Sequence, residues 1–134
     1  MPFPLDVPRH RIGDWQTGTM AHGTPATVAL TSAGIRFTAH AYDHGPANRD
    51  FGAEAASALG LDPERVFKTL IGDVDGRLVV AIVPVTGRLD LGALASAVGG
   101  KRAAMADPAI AQRKTGYVVG GISPIGQKTK LETV

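Results

Sequence analysis

The strongest strand signal in the sequence is Val66-Phe67-Lys68-Thr69-Leu70-Ile71. Branched and aromatic residues dominate this stretch and Gly72 follows it, which predicts a β-strand that ends at a turn. Alternate side chains of a strand share a face, so Lys68 lies between Val66 and Leu70 on one face. A lysine among apolar neighbours extends to solvent, pairs with an anion or loses its proton. We therefore expect Lys68 to bind an anion or a carbonyl group; the alternative is an edge-strand lysine that discourages aggregation.

Length and composition fit one folded domain. The chain has 134 residues, of which 44% are hydrophobic and 19% are charged, and such a chain can bury a core. It contains no apolar run long enough to span a membrane and no signal-peptide pattern, so we expect a soluble, cytoplasmic protein without a membrane partner. The sequence has no cysteine, which excludes disulfides, a thiolate nucleophile of the protein and cysteine-ligated zinc.

Positive charge is concentrated toward the C-terminal end. Residues 1–100 hold 8 basic and 10 acidic side chains, whereas residues 101–134 hold 6 basic and 2 acidic ones. The basic residues of this end are Lys101, Arg102, Arg113, Lys114, Lys128 and Lys130. This distribution suits a polyanion such as RNA, and it equally suits an ordinary solvated surface.

Local signals predict alternating helices and strands. Residues 1–22 contain three prolines and no apolar period, which indicates an N-terminal extension without regular structure before a domain over residues 23–134. Capping residues and prolines predict helices or helical turns that begin at Thr24-Pro25, Phe51 (after a loop and an Asp50 cap), Asp62-Pro63 and Asp107-Pro108. A further helix is predicted to follow Leu89-Asp90-Leu91. Besides the Lys68 strand, apolar runs predict strands at Arg36–Tyr42, Leu78–Val83, Tyr117–Val119 and Lys128–Val134. Asp75-Gly76 predicts a hairpin turn between the Lys68 strand and its apolar successor, which we expect to be central and buried on both faces.

A glycine-rich loop is the second candidate for ligand binding: Gly120-Gly121-Ile122-Ser123-Pro124. Paired glycines permit positive φ and a close approach of the backbone to a ligand. Free N–H groups in such a loop are able to hold a phosphate or a polarised carbonyl oxygen. The spacing does not match a Walker or dinucleotide fingerprint, and the alternative is a turn that needs two glycines.

Other reactive side chains give weaker signals. His40 and His44 lie across the end of a predicted strand, where their spacing does not place both rings on one face, so no metal site is expected. Tyr42 is either a hydrogen-bonding or stacking surface for a ligand or a half-buried strand tyrosine. No serine lies in Gly-x-Ser-x-Gly and no histidine follows His44, which argues against a serine triad. We expect no metal or other cofactor, and a catalyst of this composition would position and polarise its substrate.

Ordered motifs over residues 24–134 resemble those of the YbaK/EbsC family. The motifs are Tyr42-Asp43-His44, Phe51-Gly52, Leu59-Gly60-Leu61, Val66-Phe67-Lys68-Thr69-Leu70, Val83-Pro84-Val85, Leu89-Asp90-Leu91, Met105-Ala106-Asp107-Pro108, Thr115-Gly116-Tyr117 and the run from Gly120 to Lys128. The family comprises freestanding aminoacyl-tRNA deacylases similar to the editing domain inserted in bacterial prolyl-tRNA synthetases, and these motifs resemble its Cys-tRNA(Pro) deacylase branch. The resemblance implies a single α/β domain with a mixed, curved, barrel-like sheet flanked by helices.

The same resemblance implies a trans-editing hydrolase for mischarged Cys-tRNA(Pro), in which the substrate's own thiol attacks its ester carbonyl. It implies catalytic roles for Lys68 and Gly121, with Lys68 on the terminal phosphate or the ester and the Gly120-Gly121 backbone on the oxyanion. The substrate-binding residues that it implies are Tyr42, Phe51, Thr69, Gly120, Ile122 and Ser123. The implied partners are aminoacylated tRNA(Pro) and prolyl-tRNA synthetase.

Two alternatives stay open at the level of the sequence. An Ala-tRNA(Pro) deacylase shares the lysine and the glycine loop, and a catalytically inactive module would bind tRNA or a synthetase without turnover. Family members usually continue beyond the motif Gly121-Ile122-Ser123-Pro124 with further strands. We therefore expect this chain to lack the family's C-terminal segment, and either to be weakly active or to form a homo-oligomer that covers an exposed sheet edge.

Overall fold

The structure is a computed structural model that describes residues 23–42 and 51–134. The described helices are α1 (Pro25–Ser32), α2 (Phe51–Ala58), α3 (Leu91–Ala97) and α4 (Pro108–Thr115), and the strands are β1 (Phe67–Val74), β2 (Arg77–Pro84), β3 (Ala103–Met105) and β4 (Glu132–Thr133). A single 3₁₀ turn, Pro63–Arg65, precedes β1. The predictions for residues 1–22, for the loop 43–49 and for the Asp50 cap lie outside the described residues, and the domain boundary at residue 23 stays a prediction.

The sheet is built on the predicted hairpin. β1 and β2 pair antiparallel over their whole length, from Phe67 opposite Pro84 to Val74 opposite Arg77. Asp75 and Gly76 both have positive φ, 52° and 86°, as a two-residue hairpin turn of the right twist requires. The strand order is β3-β1-β2-β4, with β3 antiparallel to β1 and β4 parallel to β2. β2 is therefore internal, as predicted.

Helices cover both faces of this sheet. On one face, Val74 and Val79 pack with Leu94 and Ala95 of α3. On the other face, Val80 packs with Ile71 of β1 and Ala111 of α4 in a second buried cluster. Consecutive residues of β2 thus enter opposite layers of the core, because side chains alternate along a strand. This arrangement of helices on both faces of a mixed sheet confirms the mixed α/β class.

Two helix starts follow the predicted caps, Thr24 and Asp107, and a third cap, Asp90, was not predicted. The side chains of Thr24, Asp90 and Asp107 accept hydrogen bonds from backbone N–H groups in the first turns of α1, α3 and α4. Proline occupies an early position of α1 and α4, where its missing N–H costs nothing. These predictions are confirmed because a cap depends only on residues within one helical turn.

Two predicted strands are wrong. Arg36–Tyr42 is exposed throughout and forms no strand with any described residue, because an alternating pattern stabilises a strand only where a neighbour completes the ladder. Tyr117–Val119 is likewise not a strand: the Tyr117 N–H donates to Thr115 Oγ1 and its hydroxyl to the carbonyl oxygen of Ile125. The predicted last strand shortens to Glu132–Thr133.

The sheet is open, with β3 and β4 at its edges, so it does not close into a barrel. β3 pairs with only the last part of β1. The rest of this edge of β1 is therefore not covered by β3, whereas a barrel requires every strand to pair on both sides. In the described part of the chain, no helix has the length and apolar character needed to cross a membrane.

Candidate functional site

The candidate site lies along the first half of β1, where no described residue pairs with this strand on one side. β3 pairs with β1 only over Gly72–Val74, and the Ala106 N–H donates to the carbonyl oxygen of Ile71 at 3.0 Å. Alternate residues of an antiparallel strand direct their backbone groups to opposite sides, so Phe67 and Thr69 direct theirs to this open side. Their backbone groups have no partner on that side among residues 23–42 and 51–134. The open edge is therefore accessible to a ligand.

A cavity of about 570 Å³ lies against this edge, a volume in the range of sites that hold small molecules. Its walls come from β1, α2, the start of α4 and the glycine-rich loop. The sequence-predicted residues that line it are Tyr42, Phe51, Lys68, Thr69, Gly120 and Ile122. Two other predicted residues, Gly121 and Ser123, are not among the lining residues.

Lys68 is a partly buried cation in this cavity. None of the described residues forms a salt bridge or hydrogen bond with its ammonium group, so its three donors are available to a ligand. Helix α2 passes close to the base of the side chain at Gly52. A Cβ atom on Gly52 would lie 3.9 Å from Lys68 Cβ and would overlap the side chain of Val85. Glycine at this position therefore lets α2 pack directly against the strand that carries the lysine.

Phe51 and Gly120 bring α2 and the glycine-rich loop together across the cavity. Gly120 has a φ of +98°, and a Cβ atom there would lie 2.7 Å from Phe51 Cε2. The position therefore requires glycine both for its backbone conformation and for its contact with the ring. The N–H groups of Gly120 and Ile122 have no hydrogen-bond partner within the described parts of the chain, so they are available to an oxyanion or a phosphate.

The rest of the loop is held by its own hydrogen bonds. The Gly121 N–H donates to the carbonyl oxygen of Val118 at 2.9 Å. Ser123 Oγ accepts from the Ile125 N–H at 3.1 Å, and the Ser123 carbonyl oxygen accepts from Gln127 Nε2 at 2.9 Å. The predicted roles of Gly121 and Ser123 in binding stay predictions, while these contacts give both residues a part in the shape of the loop.

The cavity offers polarising groups but no strong nucleophile. The hydroxyl groups in its described lining belong to Tyr42 and Thr69, and no histidine, aspartate or glutamate joins them there. The described residues also contain no group of three or more histidine, aspartate or glutamate side chains that could hold a metal ion. This arrangement can bind an anionic or carbonyl-containing ligand and stabilise negative charge on it.

Comparison with known proteins places this geometry in a family. The sequence profile described as the aminoacyl-tRNA editing domain matches residues 46–134. This chain belongs to the aminoacyl-tRNA editing domain family. The resemblance drawn from the motifs is thereby confirmed, and the cavity lies within the matched part of the editing domain except for Tyr42.

Two curated proteins that are similar in sequence to this chain are named as aminoacyl-tRNA deacylases. A candidate Cys-tRNA(Pro)/Cys-tRNA(Cys) deacylase of Enterococcus faecalis (strain ATCC 700802 / V583), EbsC, is 42% identical over 80 residues, which cover 58% of this chain and 48% of that protein. The multifunctional Ser/Thr-tRNA deacylase ProXp-y of Escherichia coli (strain K12) is 36% identical over 78 residues, or 58% of this chain and 47% of that one. The chain therefore spans about half the length of the curated relatives that it matches.

A solved structure shares the fold. The crystal structure of a candidate trans-editing enzyme for prolyl-tRNA synthetase superposes with a TM-score of 0.65 at 29% identity. The superposition covers 81% of this chain and 68% of the other. The likeness confirms the fold of the editing domain.

Sequence reasoning missed one wall of the cavity and one support of the loop. Ala106 and Ala111, with their neighbours on β3 and α4, form a wall that only the tertiary structure assembles. Gln112 on α4 accepts a hydrogen bond from the Val119 N–H at 3.2 Å through its Oε1. An uncharged amide at an exposed helix position carries no distinctive sequence signal, so nothing in the pattern of the editing domain indicates this contact.

Proposed function

We propose that this editing domain hydrolyses the ester bond of mischarged Cys-tRNA(Pro). The observation that carries the proposal is the ammonium group of Lys68, which pairs with no described residue, in a cavity whose described lining contains no strong nucleophile. Such a site suits a substrate that supplies its own nucleophile, and the thiol of cysteine is one. The name of the Enterococcus faecalis relative supports cysteine as the amino acid.

In this proposal, the residues around the cavity bind and polarise the substrate. Lys68 holds the phosphate of the terminal adenosine or the ester region, and Phe51 and Tyr42 shape the pocket for the base and the amino acid. We assign the oxyanion to the N–H groups of Gly120 and Ile122, because the Gly121 N–H is already bound to Val118. Thr69 offers its hydroxyl and its outward backbone groups to the same ligand.

The chemical step needs no nucleophile from the protein. The sulfur of the substrate attacks its own ester carbonyl carbon, an S–C bond forms and the C–O bond to the ribose breaks. The thiol proton passes to the ribose oxygen, which leaves as the free hydroxyl of the tRNA. Water then opens the resulting β-thiolactone to free cysteine. Fixed N–H donors at the developing oxyanion typically contribute about 10²–10³ in rate each.

Proline and cysteine are close in size, so a synthetase for proline is expected to attach cysteine to tRNA(Pro) by mistake. A synthetase pocket discriminates weakly between side chains that differ by about one methylene, so a separate hydrolytic step must remove the wrong product. The related solved structure, a candidate trans-editing enzyme for prolyl-tRNA synthetase, supports that synthetase as a partner. The proposal also places the protein in the cytoplasm, where tRNA is charged.

The test compares three esters on the same tRNA: Cys-tRNA(Pro), Ser-tRNA(Pro) and Ala-tRNA(Pro). We expect cysteine to be released fastest, because a hydroxyl is a poorer nucleophile than a thiol and alanine has neither group. Replacing Lys68 by methionine, which keeps an unbranched side chain but removes the ammonium group, should lower the rate by about 10²-fold or more. Lys101→Met serves as the matched control, since Lys101 is exposed beside the β1–β2 turn.

Three outcomes would contradict this proposal. Parent-like activity of Lys68→Met would remove the lysine from the mechanism. Equal release of alanine and cysteine would show that water attacks the ester directly. Preferential release of serine would instead align the specificity with that in the name of the Escherichia coli relative.

A further inference from the structure

Four exposed basic side chains gather where α4 ends and the chain turns toward β4. They are Arg113, Lys114, Lys128 and Lys130. Backbone hydrogen bonds hold the two segments side by side: Lys128 N–H donates to the Thr115 carbonyl oxygen at 2.9 Å, and Thr129 N–H to that of Lys114 at 3.0 Å. We call these four side chains the α4 basic surface.

The positive charge of the α4 basic surface is not compensated by the described part of the protein. No carboxylate there forms a salt bridge with any of the four side chains. The next acidic residue along the chain, Glu132, pairs with Arg77 at 3.4 Å instead. Basic residues in the last turn of a helix interact favourably with its dipole, which accounts for Arg113 and Lys114. It does not account for Lys128 and Lys130, which lie outside the helix.

The α4 basic surface adjoins the cavity. Ala111 lines the cavity, and Lys114 lies only about 4.5 Å further along the helix axis. The loop that enters the cavity at Val119 begins at Gly116, where a Cβ atom would lie 3.5 Å from Lys128 Cβ. The backbone that carries these basic side chains therefore runs beside segments that line the cavity.

We infer that the α4 basic surface binds the phosphodiester backbone of the RNA whose aminoacylated 3′ end occupies the cavity. The inference rests on the proposed function, which puts that 3′ end in the cavity. A row of phosphates matches several neighbouring cations without a specific acceptor geometry. Contacts to phosphates position an RNA but do not read its bases, so the surface holds tRNA of any sequence and does not select tRNA(Pro).

The opposite edge of the sheet supplies a matched control. Lys101 and Arg102 precede the edge strand β3 as Lys128 and Lys130 precede the edge strand β4, and all four are exposed. The backbone N–H groups of Lys101 and Arg102 bind the Asp75 carboxylate, and substitution of the side chains leaves these bonds in place. The double variants Lys128→Gln/Lys130→Gln and Lys101→Gln/Arg102→Gln thus remove equal charge from opposite edges.

The first measurement is binding of a fluorescein-labelled, non-acylated RNA hairpin that carries an acceptor stem and a 3′ CCA end. Anisotropy gives the association constant between about 50 and 200 mM salt. Each lost phosphate contact lowers the magnitude of the slope of log K against log salt by about 0.7 for a single strand and by about 0.9 for a duplex. We expect the magnitude of the slope for Lys128→Gln/Lys130→Gln to decrease by about 1.4 to 1.8, which corresponds to two such contacts. The slope of the control variant should stay at the parent value.

The second measurement compares a complete substrate with a truncated one. In Lys128→Gln/Lys130→Gln we expect KM for aminoacyl-tRNA to rise about tenfold at unchanged kcat. Hydrolysis of the aminoacyl ester of adenosine, which has no phosphate, should stay at the parent rate. A parent-like salt slope in this variant, or an equal loss in the control, would overturn the inference. Failure of the proposed function is a separate result: the parent would hydrolyse neither ester, while RNA binding would still be measurable.

Discussion

At the scale of single residues, Gly120 joins the shape of the loop to the shape of the cavity. Its φ of +98° suits glycine, and a Cβ atom there would lie 2.7 Å from the Phe51 ring. We therefore expect Gly120→Ala to push the loop away from Phe51 and to misplace the N–H groups to which we assign the oxyanion. Deacylation should fall by at least about tenfold, because small displacements of positioning groups are costly. Single-turnover deacylation measures the effect, and urea unfolding should show a loss of about 1–3 kcal/mol.

Gly60 provides the control for this substitution. It also has positive φ, +63°, but a Cβ atom there would meet no other atom within 4 Å. Gly60→Ala should introduce comparable backbone strain, about 1–2 kcal/mol, and leave deacylation unchanged. Equal losses of activity in the two variants would mean that general loosening, rather than the contact with Phe51, explains the result.

At the scale of elements, the glycine-rich loop depends on α4 for its position. Gln112 Oε1 accepts the Val119 N–H at 3.2 Å, one residue before Gly120. Gln112→Ala should release this end of the loop, so kcat should fall about threefold to tenfold, in line with a net loss of about 1 kcal/mol for one hydrogen bond. Hydrogen exchange of the Val119 amide should accelerate in parallel.

A conservative variant separates position from stability. Gln112→Glu keeps an acceptor oxygen at the same distance along the side chain, so it should restore most of kcat and the slow exchange of the Val119 amide. If Gln112→Ala retained parent kcat while this amide exchanged faster, the loop would not need α4 to act. Gln112 would then be a structural contact and not a positioning residue.

At the scale of the whole molecule, the features predicted correctly are those that depend only on residues close together in the sequence. The caps Thr24 and Asp107 and the Asp75-Gly76 turn each act within a few positions. Strand pairing is different, because it depends on a partner far along the chain. β3 has three residues, too few for any period to show, and its place beside β1 follows from the fold as a whole.

The site also combines features that depend on local sequence with features that depend on the tertiary structure. Lys68 and Phe51 were predicted from residue type and family motif, and the structure places both on one cavity. The sequence does not reveal which N–H groups of the glycine-rich loop lack a partner. Gly121 donates to Val118, whereas the N–H groups of Gly120, Ile122 and Ser123 have no partner among the described residues, and of these three residues Gly120 and Ile122 line the cavity. That choice depends on the turn conformation, which two adjacent glycines leave undetermined.

The two buried clusters lie on opposite faces of the sheet, and only one of them lies beside the cavity. The cluster under α3 holds the strands together away from the cavity. The cluster under α4 includes Ile71 and Ala111, which also line the cavity, and Ile122 of the loop packs against it. Packing defects on the two faces should therefore have different consequences for the site, although both faces belong to one sheet.

Val79 and Val80 allow a matched comparison of the two faces, since they are adjacent in β2 and both are 0% exposed. Val79→Ala and Val80→Ala should each lower the free energy of unfolding by about 1–3 kcal/mol, because both leave a cavity in a packed core. Only Val80→Ala removes support from the Ile71 and Ile122 side of the site, so only this variant should raise KM for aminoacyl-tRNA. The comparison needs urea unfolding curves and deacylation rates at a temperature where both variants are folded. Equal changes in KM would show that the site responds to the stability of the whole sheet and not to the face on which it is built.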